Sequence, residues 1–274
     1  YGSDDGDLAL LADPAQTHVL PWSDSPRALA ICDALELDGS PSPLSTRGQL
    51  KAVIARYADM GLKPVVATEL EFFVFAANPD PDQPFTPPLG LDGRRELGHS
   101  AFSVSSNNGL RSFFSEVYRC MHALGLPRDT FMHEMGVSQF EINLLHGDPL
   151  LLADQPFLFK HLLKEVGLKH GLSVVCMAKP LARTPGSSMH IHQSLVELDS
   201  GRNVFSDDQG EASARFHHFI GGLQACMGDF TALLAPNVNA YQRFCHPYAS
   251  PNNACWSHDN RAAGLRIPPS APVA

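Results

Sequence analysis

The stretch "VVATELEFFVF" (residues 65–75) decides the reading of this chain. Its Val and Phe content is that of a buried β-strand, yet Glu69 and Glu71 stand in its middle. Residues i and i+2 of a strand share a face, so the two carboxylates project together. Ala67, Phe73 and Phe75 lie on that same face, which is therefore not simply solvent. Thr68, Leu70, Phe72 and Val74 line the other. Two carboxylates about 7 Å apart repel by roughly 2.4 kcal/mol at an effective dielectric near 20. Without compensation one takes up a proton, or the strand turns that face to water.

The pattern recurs twice. In "GVSQFEINLL", Gln139, Glu141 and Asn143 share one face, against Phe140, Ile142 and Leu144. In "SSMHIHQSL", His190, His192 and Ser194 line one face, against Met189, Ile191 and Leu195. Just upstream of the second strand, "FMHEMG" sets His133 and Glu134 before a glycine. A strand with one wet face alternates in this way routinely, so no single segment identifies a site. Together they group Glu69, Glu71, Glu134 and Glu141 with histidine, a donor set of oxygens with some imidazole. That set suits Mg²⁺ or Mn²⁺ better than structural Zn²⁺. Two divalent cations would neutralise four carboxylates and answer the repulsion.

Outward from these strands, the chain reads as α+β, because helices and strands mix without strict βαβ alternation. Residues 1–44 read as short strands and turns. Ser45 or Thr46 caps a helix with Leu50, Val53, Ile54 and Tyr57 on one face, ended by Gly61. Residues 78–97 form a Pro/Gly-rich loop outside the core. Helices are expected over 109–125, over 154–171 with Asp154 as cap, and over 212–234, stopped by Pro236. "SVVCMAK" and "SSMHIHQSLVEL" read as adjacent strands joined through "TPGS", and the tail from 236 as loop.

Composition narrows the class. The 274 residues are 44% hydrophobic and 18% charged, enough to bury a sizeable core. The net charge of −9 argues against a nucleic-acid binder. The six cysteines show no C-x-x-C spacing, which predicts reduced, mostly buried thiols. No apolar run reaches transmembrane length, and the expectation is a cytoplasmic protein without membrane contact. Arg243, Arg261 and Arg266 stand among Asn and Gly in the tail, where guanidinium groups can clamp carboxylate or phosphate. Metals with arginines suit phosphoryl transfer, although no P-loop or kinase Gly-rich loop is present.

"ELEFFVF", "HEMGVSQFEINL", "PGSSMHIHQSL", "PNVNAYQRF" and "NRAAGLRIP", in that order and spacing, resemble the catalytic domain of glutamine synthetases. "DGDLALLADP" is similar to the family's strand entering that domain. The resemblance covers nearly the whole chain. It implies a curved antiparallel sheet with flanking helices, and residues 1–274 as the central part of the catalytic domain. On that reading a small N-terminal domain lies before Tyr1, and a further Glu ligand and Arg follow Ala274. Residue by residue, Glu71, Glu134 and Glu141 match ligands of a first metal near the substrate glutamate. Glu69 and His190 match ligands of a second metal near the ATP phosphates. His192 and Ser194 match ATP contacts, Gly186 a glycine beside the glutamate amino group, and Arg243 a clamp on the glutamate carboxylate. Arg261 and Arg266 match arginines that stabilise the phosphoryl group in flight.

The implied cofactors are ATP with Mg²⁺ or Mn²⁺, and the implied assembly is a large ring-based homo-oligomer. The implied reaction joins glutamate to ammonia or an amine. Two departures bear on the nucleophile and on substrate contact. Ala249 in "RFCHPYA" stands where the family has a Glu that binds ammonium, which points to a larger amine, as in γ-glutamylpolyamine synthetases. Pro185 replaces an Asn that touches the amino-acid substrate. The alternatives are a glutamine synthetase using ammonia, a metallohydrolase with a Zn²⁺-bound water, and a catalytically silent homologue that senses metabolites.

Overall fold

A computed structural model of the chain describes residues 6–78, 80, 82–98, 100–245 and 250–268. The strand read from residues 65–75 extends over Leu62–Ala76 and is the centre of the molecule (β3, after β1, Ala9–Val19, and β2, Ala28–Leu35). β5 (Gln139–Leu144) pairs with one edge of β3, and β4 (Arg128–His133) pairs with the far edge of β5. β6 (Leu172–Val175) and β7 (Met189–Glu197) both pair with the other edge of β3, β6 opposite Phe73–Ala76 and β7 opposite Leu62–Leu70. Every pairing in this five-stranded sheet is antiparallel, as an α+β fold requires. β6 and β7 therefore follow one another along β3 and do not form a hairpin. The segment between them leaves the sheet and returns, which corrects the expectation of two mutually adjacent strands.

The helices are α1 (Thr46–Asp59), α2 (Val104–Gly109), α3 (Arg111–Ala123), α4 (Pro149–Lys169), α5 (Ala214–Leu234) and α6 (Val238–Tyr241). Ser45 caps α1 by accepting from the Gly48 N–H, and Gly61 follows the helix at φ +72°, a left-handed value that glycine adopts freely. Val53, expected on the packed face of α1, is exposed. The cap of α4 lies six residues earlier than the sequence suggests. The Asp148 carboxylate accepts from the Leu150 and Leu151 N–H groups and Pro149 occupies the first turn, while the Asp154 carboxylate is taken by Arg47. "GDPLLLADQP" holds two cap-like aspartates, and tertiary pairing decides between them.

α3 and α4 cover one face of the sheet. Phe113, Phe114, Val117 and Met121 of α3, with Leu158, Phe159, Leu162 and Val166 of α4, pack on Leu70, Phe72, Val74, Phe140, Ile142 and Leu144. Each fully buried side chain of this size contributes about 1.5–3 kcal/mol relative to exposure. A smaller cluster, Leu62, Leu195 and Val204 with Tyr57 and Phe219, seats α1 and α5 against β3 and β7.

The loop over 78–97 is less peripheral than its composition suggests. Phe85 stacks on Phe75 with ring centroids 4.8 Å apart, and Pro88 is buried. The tail is not all loop, because α6, a 3₁₀ turn (Gln242–Cys245) and the short parallel pair β8 (Trp256–His258) and β9 (Leu265–Ile267) lie in it. All six cysteines are free, but only Cys120 is buried, and Cys226, Cys245 and Cys255 are exposed, against the expectation of mostly buried thiols. No described helix is long and apolar enough to cross a membrane.

Candidate metal and substrate site

The register of β3 with its neighbours brings the three polar strand faces together. Glu69 sits opposite Asn143 on one side and His190 on the other, Glu71 opposite Glu141, Phe73 opposite Gln139, and Ala67 opposite His192. Paired residues share a face, so all of these groups project from the side of the sheet away from the main core. Phe73 and Phe75 stack beside them with centroids 5.5 Å apart, a dry wall at one end of the polar patch.

Glu69 is the hub. One carboxylate oxygen lies 2.9 Å from His192 Nε2 and the other 3.0 Å from His190 Nδ1. Those hydrogen bonds, His190 first and His192 next, hold its carboxyl well below the usual range despite partial burial. The same pairing raises the His190 imidazole above its ordinary value. Glu71 is buried and accepts from the Ser188 N–H at 3.0 Å, from the Ser188 hydroxyl, and from Gln139 Nε2 at 3.1 Å. Burial still raises its carboxyl, and Glu134 adds to the rise by repulsion. Glu141 is buried and accepts no side-chain hydrogen bond among the described residues. Burial, then repulsion from Glu69, Glu71 and Glu134, pushes its carboxyl up to about 8. Glu134 stands just past the end of β4, with one oxygen accepting from the Met135 N–H at 3.0 Å.

Ligand atoms of Glu69, Glu141 and His190 all lie within 4.8 Å of one another, a spacing that suits a single ion. This tight group crosses the two ligand sets implied by the resemblance, because Glu141 reaches toward both. A divalent cation fits the residues present. The donors are mostly oxygen, the two raised carboxyls mark uncompensated negative charge, and Asn143 Oδ1 is buried on the same face with no partner.

Gly186 and Arg243 meet beside this cluster. The Gly186 carbonyl accepts from Gln139 Nε2 at 3.1 Å, so Gln139 links it to Glu71. A Cβ on Gly186 would run into the Ala178 carbonyl and come within 2.8 Å of Arg243 Cγ, so no larger residue fits there. Arg243 is largely desolvated, which lowers its guanidinium below the ordinary value while the charge of Glu71 opposes the shift. Its Nε is buried and unpartnered. Asn239 holds this segment in place: its amide accepts from the Lys179 N–H at 2.8 Å and donates to the Lys179 carbonyl at 2.9 Å.

Ser194 continues the His190–His192 face of β7 opposite Val65 and is half-buried. Arg261 and Arg266 are not drawn to the carboxylates by any side-chain hydrogen bond or ion pair among the described residues. Their segment is tied to α5 instead, through Gln224 Nε2 donating to the Ala254 carbonyl and Trp256 packing edge-on to Phe216. Ala249 lies outside the described residues. Three residues that hold the site went unassigned in the sequence. Ser188 follows the i, i+2 pattern of His190 and His192 and was legible from it. The linking role of Gln139 and the clamp of Asn239 have no local signal.

The chain matches the profile described as glutamine synthetase, catalytic domain, over residues 43–274. It is 32% identical to a glutamine synthetase of Pyrococcus abyssi, covering 97% of this chain and 57% of that protein. It is 36% identical to the γ-glutamylputrescine synthetase of Escherichia coli, covering 84% and 49%. To a glutamate–isopropylamine ligase of a Pseudomonas species it is 31% identical, covering 97% and 57%. The chain thus spans about half the length of the curated relatives it matches. Among solved structures, ligand-free GmaS superposes with a TM-score of 0.82 at 29% identity, covering 97% of this chain and 60% of that one. A structure described as a novel glutamine synthase homolog superposes with a TM-score of 0.81 at 28% identity, covering 99% and 61%. With the sheet, the carboxylate face and these matches in agreement, the chain belongs to the glutamine synthetase catalytic-domain family.

Proposed function

We propose that this chain carries the central part of the active site of an ATP-dependent ligase that joins glutamate to an amine. The observation that carries the reading is the convergence of Glu69, Glu71, Glu141 and His190 on one sheet face, beside a desolvated Arg243 with a free Nε–H. In the reaction, a γ-carboxylate oxygen of glutamate attacks the γ-phosphorus of ATP and ADP leaves. The amine nitrogen then attacks the acyl carbon, loses a proton and expels phosphate, which leaves an amide. Glu71, Glu134 and Glu141 would hold one Mg²⁺ or Mn²⁺ near glutamate, and Glu69 with His190 a second near the phosphates. Bound there, the ions supply positive charge to the transferring phosphoryl group.

The side chains do the rest. Arg243 pairs with the glutamate α-carboxylate, a role supported by its half-buried position and its buried, unpartnered Nε. Gly186 leaves room for the amino group. His192 and Ser194 face ATP, and Arg261 and Arg266 stabilise charge on the phosphoryl group. The amine is favoured over ammonia by Ala249, and two similar proteins are named for amine ligation. The runner-up is glutamine formation from ammonia, the activity for which other relatives are named. The protein is further proposed to be cytoplasmic, to bind neither membrane nor nucleic acid, and to assemble into a large ring-based homo-oligomer.

An ADP-release assay with glutamate and a panel of amines, including putrescine, isopropylamine and ammonia, tests this. Release that requires glutamate and an amine, and falls at least about a hundredfold in Glu71→Ala, supports the ligase. Ammonia matching the best amine would transfer the reading to glutamine synthesis. Hydrolysis without ATP would point to a metallohydrolase, and binding without turnover to a silent homologue. ADP release undiminished in Glu71→Ala would overturn the metal assignment.

A further inference from the structure

Glu134 is presented by a tight loop between β4 and β5, and that loop is pinned from outside the sheet. Glu96 comes from the far end of the Pro/Gly-rich segment. One of its carboxylate oxygens, Oε2, lies 3.0 Å from His133 Nε2 and accepts from the Ser138 N–H at 2.8 Å. His133 and Ser138 flank the loop, one at the end of β4 and the other just before β5. His133 is fully buried and its Nδ1 lies 2.7 Å from the Glu134 carbonyl oxygen.

Ser138 adopts φ +57°, which is uncommon for a residue with a side chain. The conformation is held by its N–H on Glu96 and by its hydroxyl, which donates to the Val74 carbonyl at 2.6 Å. Inside the loop, the Gly136 N–H donates to Gln139 Oε1 at 2.9 Å, and a Cβ on Gly136 would meet Phe73 at 3.1 Å. The loop ends are thus held by strand pairing and by the Val74 contacts, and a single oxygen of Glu96 bridges them by reaching both His133 and Ser138.

We infer that Glu96 is a positioning residue that sets the backbone from which Glu134 projects toward the metal site. This rests on the metal reading above. Groups that orient ligands from behind typically cost ten- to a hundredfold in metal affinity when removed.

The test is Mn²⁺ titration of the protein without nucleotide or glutamate, following free Mn²⁺ by electron paramagnetic resonance. Glu96→Ala is expected to weaken one class of Mn²⁺ site about tenfold or more, the same class that Glu134→Ala weakens. The double variant is expected to lose no more than Glu134→Ala alone, because the two act through one ligand. Glu96→Gln keeps the volume and one accepting oxygen, should fall between wild type and Glu96→Ala, and carries the test if Glu96→Ala does not fold. A role in folding alone would lower the melting temperature and leave the Mn²⁺ affinity of the folded protein unchanged, which would overturn the inference. Losses that add in the double variant would overturn it as well. If Glu134→Ala itself leaves Mn²⁺ binding intact, the metal reading fails and takes this inference with it; if only the Glu96 variants are silent, the metal reading stands without it.

Discussion

Glu141 is the residue on which the electrostatics of the site turn. Burial, then repulsion from Glu69, Glu71 and Glu134, pushes its carboxyl up to about 8 from an ordinary 4.5. The folded chain therefore holds its proton more tightly than the unfolded chain does. That contribution to stability is fully present below about pH 4.5 and is lost as pH rises through about 8. The metal-free protein is expected to melt several degrees lower at pH 8.5 than at pH 6, and Glu141→Gln should flatten the difference. Saturating Mg²⁺ should also restore the loss at high pH, since a cation replaces the missing compensation. Thermal melts across pH with and without Mg²⁺ check this; a wild-type profile that matches Glu141→Gln would count against it. The period-two pattern of "QFEINL" already placed Glu141 on a polar face. It could not show that Glu69 of another strand also reaches it, because cross-strand register is a long-range property.

Among the elements, the β1–β2 hairpin, α1 and α4 are joined at one point. Arg47 of α1 reaches Asp13 at 2.6 Å, Asp33 at 2.7 Å and Asp154 at 3.0 Å, and Lys51 shares Asp33. Arg47 and Asp154 are both largely buried, with side chains 10% and 7% exposed. Removing Arg47 leaves Asp154 as an uncompensated charge inside α4, a loss of about 3–5 kcal/mol. Urea unfolding of Arg47→Ala should register a loss of that order, while a value under about 1 kcal/mol would class the network with solvent-exposed pairs. The same network explains why α4 starts earlier than its sequence suggests. Asp154 has the composition of a cap, but its carboxylate is committed to Arg47, and Asp148 caps the helix. Helix ends marked by local chemistry alone, at Ser45 and Gly61, agreed with the sequence.

For the whole molecule, the apolar surface left uncovered is the main observation. α5 is predominantly apolar, yet Ile220 is its only fully buried residue, and Leu233 and Leu234 are exposed. On the hairpin, Leu10 and Leu11 are exposed as well, as is Val238 of α6. A helix apolar around most of its girth is ordinarily covered. In keeping with the proposed ring-based assembly, the protein is expected to sediment at micromolar concentration as a species several times its 29.7 kDa monomer mass. A single boundary at the monomer mass would remove that proposal.

Much was determined by the sequence alone: the carboxylate-bearing strand, the two further polar strand faces, the helices ended by Gly61 and Gly171, and the family they belong to. These follow from local periodicity and turn chemistry, which need only neighbours along the chain. The tertiary structure alone decided that the three polar faces are one face, that Glu69, Glu141 and His190 form the tightest group, and that Glu96 and Gln139 hold the ligands in place. Those relations join residues dozens of positions apart, and they exist only once the strands have paired in register and desolvated the groups between them.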